Sequence, residues 1–162
     1  MNKDIQSLAM AVLDACRKAH LTLATAESCT GGMVAAALTD IAGSSDVVER
    51  GFVTYSNAAK NQLLGVPADL IAKQGAVSAE VAAAMAEGAL AHAPVDLAVS
   101  VTGIAGPGGA TSTKPVGLVH LGIIRKGRAA LTERHVFPGD RAAVRGAATR
   151  RALELLLGAV GA

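Results

Sequence analysis

The spacing of apolar residues predicts an amphipathic helix near the start of the chain. Across residues 4–19, apolar side chains recur every three or four positions with charged residues between them, as on a helix with one buried face. Cys16 falls on the buried face, so we interpret it as a core residue. A second long helix is predicted over residues 141–157, because Asp140 before it is a typical N-cap residue.

Between these helices, the pattern alternates between strands and further helices. Short apolar runs predict strands, and Ala-rich stretches closed by glycine or proline predict helices. The predicted strands are residues 21–25, 51–55, 95–101, 116–124 and 129–137, and the predicted helices are residues 31–41, 57–64, 67–75 and 79–93. The last two strands are joined by Lys126-Gly127 and predict a hairpin. We therefore expect a three-layer α/β/α sandwich with a mixed, mostly parallel sheet and a late antiparallel hairpin.

The composition indicates one aliphatic globular domain that spans residues 1–162. Hydrophobic residues make up 51% of the chain and aromatic residues 2%, so the core must be built from aliphatic side chains. No apolar run approaches the ~20 residues of a membrane-spanning helix. Residues 1–20 also lack the apolar block of an export signal. We therefore expect a cytoplasmic protein without membrane contact, in which Cys16 and Cys29 are free thiols.

The charge distribution argues against nucleic acid as a partner. The net charge of +2 is slight, and the clusters of basic residues lack interleaved aromatic residues, so we interpret them as solvated surface. The apolar surface of an Ala-rich chain favours a homo-oligomer, without indicating which face forms the interface.

The first polar cluster lies between the first predicted strand and the helix that follows it. It consists of Glu27, Ser28, Cys29, Thr30 and Gly31. In α/β sheets, ligands bind beyond the carboxyl ends of the strands, where helix N-termini present free amides. The backbone amides of this cluster are therefore candidate donors to a phosphate or an oxyanion, and its residues are candidate substrate-binding or catalytic residues. The spacing leaves open the simpler alternative that Ser28 or Thr30 only caps the helix.

The second polar cluster is at the end of the strand predicted at residues 51–55. Tyr55 marks the strand end and Lys60 lies about one turn into the next helix, so both can reach the same crevice. A buried lysine with a lowered pKa can activate a serine hydroxyl without histidine. The alternative is that Lys60 is a solvated helix residue. Cys29 is a rival nucleophile, but no local motif ties a histidine to it, so we prefer a core role for its thiol.

A glycine-rich loop follows the strand predicted at residues 95–101. Residues 100–117 read SVTGIAGPGGATSTKPVG, which matches neither a phosphate-binding loop nor a dinucleotide fingerprint, so ATP and NAD are not expected. The scattered histidines form no metal-binding motif, and we expect no metal and no other cofactor. We interpret Thr102, Gly103 and Gly106 as a wall of the same crevice. An ordinary strand connection is the alternative.

Motifs along nearly the whole chain resemble those of the CinA C-terminal domain family in its stand-alone form. In order, they are TAESCTGG, DIAGSS, RGFVTYSNAAK, LLGV, GAVS, TGIAGPGG, KPVG and FPGDRAAVR. The resemblance implies an α/β/α sandwich that hydrolyses the carboxamide of nicotinamide mononucleotide (NMN) without a metal. The products would be nicotinic acid mononucleotide and ammonia, within pyridine nucleotide salvage. It also implies that Ser28 is the nucleophile, Lys60 the base and Tyr55 a helper.

The hypothesis that follows is a Ser–Lys amidohydrolase. Neutral Lys60 takes the proton of Ser28, whose oxygen attacks the carboxamide carbon. Backbone amides near Thr30 and Gly31, or near Gly103, are expected to bind the resulting oxyanion. The candidate ligands of the substrate phosphate are Arg141, Arg145 and the glycine-rich loop.

Part of the glycine-rich loop departs from the family pattern. Ala110 replaces a usual glycine, and Ser112 and Thr113 stand where acidic or other polar residues are common. Two alternatives stay open. One is a non-catalytic nucleotide-binding or interaction module linked to competence or the DNA damage response, and the other is an amidohydrolase of a different small amide.

Overall fold

The computed structural model describes residues 2–161, which form a five-stranded sheet with helices on both faces. The strands are β1 (Leu23–Glu27), β2 (Val48–Val53), β3 (Leu97–Gly103), β4 (Leu118–Arg125) and β5 (Leu131–Val136). The helices are α1 (Lys3–Ala19), α2 (Met33–Thr39), α3 (Asn57–Leu64), α4 (Ala68–Gln74), α5 (Ala79–His92) and α6 (Arg141–Gly161), with a 3₁₀ turn at Ser44–Asp46. Within residues 2–161, no helix is both long enough and apolar enough to span a bilayer.

The sheet has the strand order β2-β1-β3-β4-β5. The first three of these strands are parallel neighbours, whereas β4 runs antiparallel to β3 and β5 runs antiparallel to β4. All strands except β4 therefore point the same way, which confirms the mixed α/β fold with a late hairpin. Glu27 pairs with Val53 on one side and with Val101 on the other. The carboxyl ends of three strands thus lie side by side.

The two faces of the sheet carry different helices, which gives the three predicted layers. α1, α2 and α6 pack on one face around apolar side chains that include Leu23 and Val99. α3, α4 and α5 pack on the other face around a cluster that includes Ala26 and Ala98. Cys16 is fully buried in the first cluster, which confirms its interpretation as a core residue.

The first strand and the helix after it begin later than the sequence predicts. β1 starts at Leu23 rather than at residue 21, and α2 starts at Met33 rather than at residue 31. Gly31 and Gly32 have φ values of 58° and 105°, which lie outside the right-handed helical region, so α2 cannot include them. The polar cluster therefore forms a loop instead of the first turn of a helix.

Candidate active site

The Ser28 hydroxyl and the Lys60 amine meet at the carboxyl end of the sheet. Ser28 follows β1 directly, and its amide donates to the carbonyl of Val101 at 2.9 Å. Lys60 lies in the first turn of α3, whose N-cap is Ser56. Its Nζ lies 3.0 Å from Ser28 Oγ and donates to the carbonyl of Thr54, also at 3.0 Å. The two predicted residues are therefore within hydrogen-bond distance.

Burial changes the chemistry of Lys60. Only 2% of the residue is exposed, and burial lowers the pKa of its amine from the ordinary value, an effect that nearby Cys29 partly opposes. No carboxylate within residues 2–161 forms an ion pair with it. In the unprotonated amine, one N–H can stay on the Thr54 carbonyl while the lone pair accepts the Ser28 proton. This is the arrangement of a general base.

Burial makes the thiol of Cys29 less reactive, whereas it makes the amine of Lys60 a better base at neutral pH. The residue is 5% exposed and belongs to the core cluster beneath α2 and α6. Burial raises the pKa of the Cys29 thiol to about 11, so it stays protonated near neutral pH. A protonated thiol is a poor nucleophile, which favours the hydroxyl of Ser28 in that role.

Two adjacent amides in the loop between Ser28 and Gly31 lack an oxygen acceptor among residues 2–161. The amide of Ser28 is bound by Val101, and the amide of Gly31 donates to the Ser28 carbonyl at 2.9 Å. The amides of Cys29 and Thr30 lie between them; the amide of Cys29 contacts its own thiol, which is a weak acceptor, and within residues 2–161 the amide of Thr30 is free. Free N–H groups beside a nucleophile are suited to an oxyanion. The sequence predicted amides near Thr30 and Gly31, or near Gly103, for this task. The amide of Gly31 is already hydrogen-bonded within the loop, which leaves the amides of Thr30 and Cys29.

Glu27 lies beneath this loop, away from the cavity described below. The residue is fully buried, and its carboxylate accepts hydrogen bonds from Thr30 Oγ1 at 2.7 Å, Val34 N at 2.9 Å and Ala35 N at 3.0 Å. Two of these donors are first-turn amides of α2, so the carboxylate caps that helix. Glu27 and the side chain of Thr30 therefore fix the shape of the loop.

A cavity of about 270 Å³ opens above Ser28 and Lys60. Most of the residues predicted for the site line it, namely Ser28, Tyr55, Lys60, Thr102, Gly103, Gly106 and Arg141. Four predicted residues do not line it, namely Glu27, Thr30, Gly31 and Arg145. The segment between α4 and α5 adds Ala76 and Val77, which were not predicted as site residues although the GAVS motif contains them.

Thr102 and Gly103 close the wall of the cavity along β3. Thr102 Oγ1 donates to the carbonyl of Ala76 at 2.8 Å, which ties the strand to the segment before α5. A Cβ atom at Gly103 would lie 2.7 Å from a methyl group of Val119 and 2.8 Å from the carbonyl oxygen of Leu118. Only glycine allows this close approach to β4, so Gly103 has a packing role in the wall.

Arg141 connects three of the predicted motifs at the mouth of the cavity. It is the first residue of α6, and its Nη1 donates to the carbonyl of Gly106 at 2.8 Å while Nη2 donates to Tyr55 Oη at 3.0 Å. Tyr55 is 63% exposed and lies beyond β2, which ends at Val53 rather than at residue 55. The tyrosine and the arginine thus form a polar rim.

Arg145 lies one helical turn further along α6 and faces the loop that follows β1. Its Nε donates to the carbonyl of Cys29 at 3.0 Å, and its Nη2 donates to the carbonyl of Thr30 at 3.3 Å. The residue also lines a second cavity of about 720 Å³, which adjoins the first at Ala105 and Arg141. Within residues 2–161, neither arginine forms an ion pair with a carboxylate. The positive charge of Arg141 at the mouth of the cavity therefore suits an anionic ligand.

The sequence matches a known protein family over nearly its whole length. The CinA C-terminal domain family matches residues 5–160. Nicotinamide-nucleotide amidohydrolase PncC of Escherichia coli (strain K12) is 49% identical over 155 residues, which cover 96% of this chain and 94% of PncC. A CinA-like protein of Citrifermentans bemidjiense is 57% identical over 140 residues, which cover 86% of this chain and 34% of that protein. The chain belongs to the CinA C-terminal domain family, and it spans about a third of the length of the CinA-like relatives.

Solved structures of the same superfamily share the fold. The competence/damage inducible protein CihA from Agrobacterium tumefaciens has a TM-score of 0.96 and 46% identity, over 100% of this chain and 98% of that one. A competence-damaged protein (CinA) superfamily protein from Escherichia coli has a TM-score of 0.91 and 37% identity, over 97% of this chain and 91% of that one.

Proposed function

We propose that this chain is a nicotinamide-nucleotide amidohydrolase that converts NMN and water to nicotinic acid mononucleotide and ammonia. The observation that carries the proposal is the 3.0 Å separation of Ser28 Oγ and Lys60 Nζ, with the lysine buried and its pKa lowered. The name of the relative PncC, which aligns with 96% of the chain, supports the same substrate.

In the first half of the reaction, neutral Lys60 accepts the proton of Ser28 as Oγ attacks the carboxamide carbon. The amides of Cys29 and Thr30 are the donors we assign to the developing oxyanion, and one such donor is worth about 2.7–4 kcal/mol in other enzymes. The protonated lysine then gives its proton to the amide nitrogen. The C–N bond breaks, ammonia leaves and an ester to Ser28 remains.

Water completes the reaction in the second half. Lys60 accepts a proton from the water molecule that attacks the ester carbon, and returns it to Ser28 Oγ when the C–O bond breaks. Nicotinic acid mononucleotide is released, and the lysine is again unprotonated. The Thr54 carbonyl supports both halves of the reaction. It accepts one N–H of the amine and thereby orients the lone pair of Nζ toward Ser28.

Arg141 is the residue that we assign to the substrate phosphate. The phosphate of NMN is separated from the carboxamide by the ring and the ribose, so it must lie away from Ser28. Arg141 stands where the two cavities adjoin, and the hydrogen bonds of its guanidinium within residues 2–161 go to neutral groups, the Gly106 carbonyl and the Tyr55 hydroxyl. A phosphate can replace the tyrosine hydroxyl as its partner.

An ammonia assay with three substrates tests the proposal. We expect NMN to be turned over at least ~100-fold more efficiently than nicotinamide or glutamine, because neither carries the phosphate. Binding of NMN without ammonia release would instead support a non-catalytic nucleotide-binding module. Ammonia release from glutamine or nicotinamide, but not from NMN, would indicate an amidohydrolase of another small amide.

A further inference from the structure

Arg145 is the strongest link between α6 and the loop that carries the nucleophile. The carbonyl of Cys29 accepts from Arg145 Nε at 3.0 Å and has no other donor among the hydrogen bonds of residues 2–161. The carbonyl of Thr30 accepts from Arg145 Nη2 at 3.3 Å and from the amide of Met33 at 3.0 Å. One planar guanidinium thus holds two consecutive carbonyl groups.

The position of the guanidinium depends on a glycine. Gly31 has a φ of 58°, and a Cβ atom there would lie 3.3 Å from Arg145 Nη2. Any other residue at this position would therefore be strained and would crowd the arginine. The hydrogen bonds of Arg145 to the loop at residues 29–31 therefore depend on a glycine at position 31.

Holding a carbonyl also fixes the amide of the same peptide unit. In a trans peptide, the C=O and the following N–H point in opposite directions, and the cis peptide in residues 2–161 is at Gly106-Pro107. Arg145 draws the Cys29 carbonyl toward α6, so the N–H of Thr30 points away from α6. α6 packs on one face of the sheet and α3, which carries Lys60, packs on the other. The free amide is thereby turned toward the side of the sheet where Ser28 meets Lys60.

We infer that Arg145 is a positioning residue of the reaction: it orients the Cys29–Thr30 peptide so that its N–H can bind the oxyanion. The inference rests on the proposed amidohydrolase function and makes it more specific. It gives Arg141 and Arg145 different roles, because Arg141 acts on the substrate phosphate whereas Arg145 acts through the backbone. It also explains why the charge of Arg145 needs no carboxylate, since two carbonyl dipoles already compensate it.

The two possible roles of Arg145 differ in the kinetic parameter they change. A residue that orients an oxyanion donor affects the transition state, so its loss lowers kcat. A phosphate ligand affects substrate binding, so its loss raises KM for NMN and spares nicotinamide riboside, which lacks the phosphate. Kinetics with both substrates therefore distinguish positioning from phosphate binding.

The experiment compares Arg145→Ala and Arg145→Lys with a matched control, Arg17→Ala. Arg17 also holds a loop carbonyl, that of Gly43 at 2.9 Å, but it lines neither cavity. We expect Arg145→Ala to lower kcat at least ~10-fold for both substrates by the same factor, with KM within about twofold. Arg145→Lys keeps the charge but not the paired donors, and should show most of the same loss. Arg17→Ala should keep kcat within about twofold of the wild type.

A second readout does not depend on NMN. A fluorophosphonate reacts with an activated serine by forming an Oγ–P bond and expelling fluoride, and its transition state uses the same oxyanion donors. The rate of Ser28 labelling, followed by intact mass, should fall at least ~10-fold in Arg145→Ala. If Arg145→Ala does not fold, the kinetics of ammonia release and the labelling rate of Arg145→Lys test the positioning role instead.

Three results would overturn the inference. Unchanged kcat and labelling rate in both Arg145 variants would remove any positioning role. A raised KM for NMN with normal kinetics for nicotinamide riboside would make Arg145 a phosphate ligand instead. Wild-type protein that is not labelled at Ser28 would overturn this inference together with the proposed function. If the wild-type protein is labelled but releases no ammonia from NMN, only the assignment of NMN as the substrate is wrong. The labelling rates of the Arg145 variants would still test the positioning role.

Discussion

Lys60 Nζ lies 3.0 Å from Ser28 Oγ although 32 residues separate them in the chain. Parallel pairing brings them together, because β1 and β2 are neighbours that end in register at Glu27 and Val53. The amide of Thr54 donates to the Glu27 carbonyl at 2.8 Å, which continues the ladder by one more step. The nucleophile follows one strand and the base follows the other, so the sheet itself sets their separation.

The pH dependence of the reaction should report the protonation of Lys60. The reaction needs the unprotonated amine, so kcat/KM should rise with pH and reach a plateau above the Lys60 pKa. Because burial lowers that pKa, the plateau should begin at lower pH than an ordinary lysine would give. A pH profile of ammonia release from NMN checks this.

Lys60→Arg is the matched variant for the base. Arginine keeps a hydrogen-bond donor but stays protonated and positively charged, so it cannot accept a proton, and activity should fall by roughly 10²–10⁴-fold at every pH. A variant that keeps a rising pH profile would show that another group is the base.

Removing the guanidinium of Arg141 should weaken binding of the phosphate. We expect Arg141→Ala to raise KM for NMN at least ~10-fold, as for loss of a charge-assisted contact, and to leave KM for nicotinamide riboside within about twofold. Steady-state kinetics with both substrates measure this. Equal loss for the two substrates would place the phosphate elsewhere.

Glu27 should matter for folding. Glu27→Ala leaves two amides of α2 and the hydroxyl of Thr30 without their shared acceptor, so we expect the free energy of unfolding to fall by at least about 3 kcal/mol. Urea unfolding measures the change. Glu80→Ala is the control, because Glu80 is also a glutamate in the first turn of a helix but is exposed, and it should change stability by less than about 1 kcal/mol. Equal losses in both variants would contradict a special role for Glu27.

The layers and the late hairpin could be predicted because periodicity and glycine placement report local structure. The strand and helix boundaries around Ser28 could not be predicted. Nothing in the sequence distinguishes two glycines with positive φ values, as at Gly31 and Gly32, from glycines in the first turn of a helix. The apolar spacing did identify Cys16 as a core residue. Homo-oligomeric assembly and a cytoplasmic location stay predictions.

The candidate site was predictable in its side chains and less so in its backbone. Spacing alone favoured a solvated helix position for Lys60, because the register of β1 and β2 depends on contacts distant in sequence. In the sequence, Glu27 follows the strand predicted at residues 21–25, as a ligand-binding carboxylate would, and its three buried hydrogen bonds show instead that it caps α2. Backbone groups of the site could not be predicted from residue types, since every residue but proline carries the same N–H and C=O groups. This applies to the Thr54 carbonyl and to the amides of Cys29 and Thr30.

The identity of the nucleophile is tested most directly by ammonia release from NMN in Ser28→Ala and Cys29→Ala, both confirmed to fold by thermal unfolding. We expect kcat of Ser28→Ala to fall at least ~1,000-fold, because the attacking oxygen is gone. Cys29→Ala should keep activity within about tenfold of the wild type. Full activity in Ser28→Ala together with none in Cys29→Ala would contradict the Ser28–Lys60 mechanism.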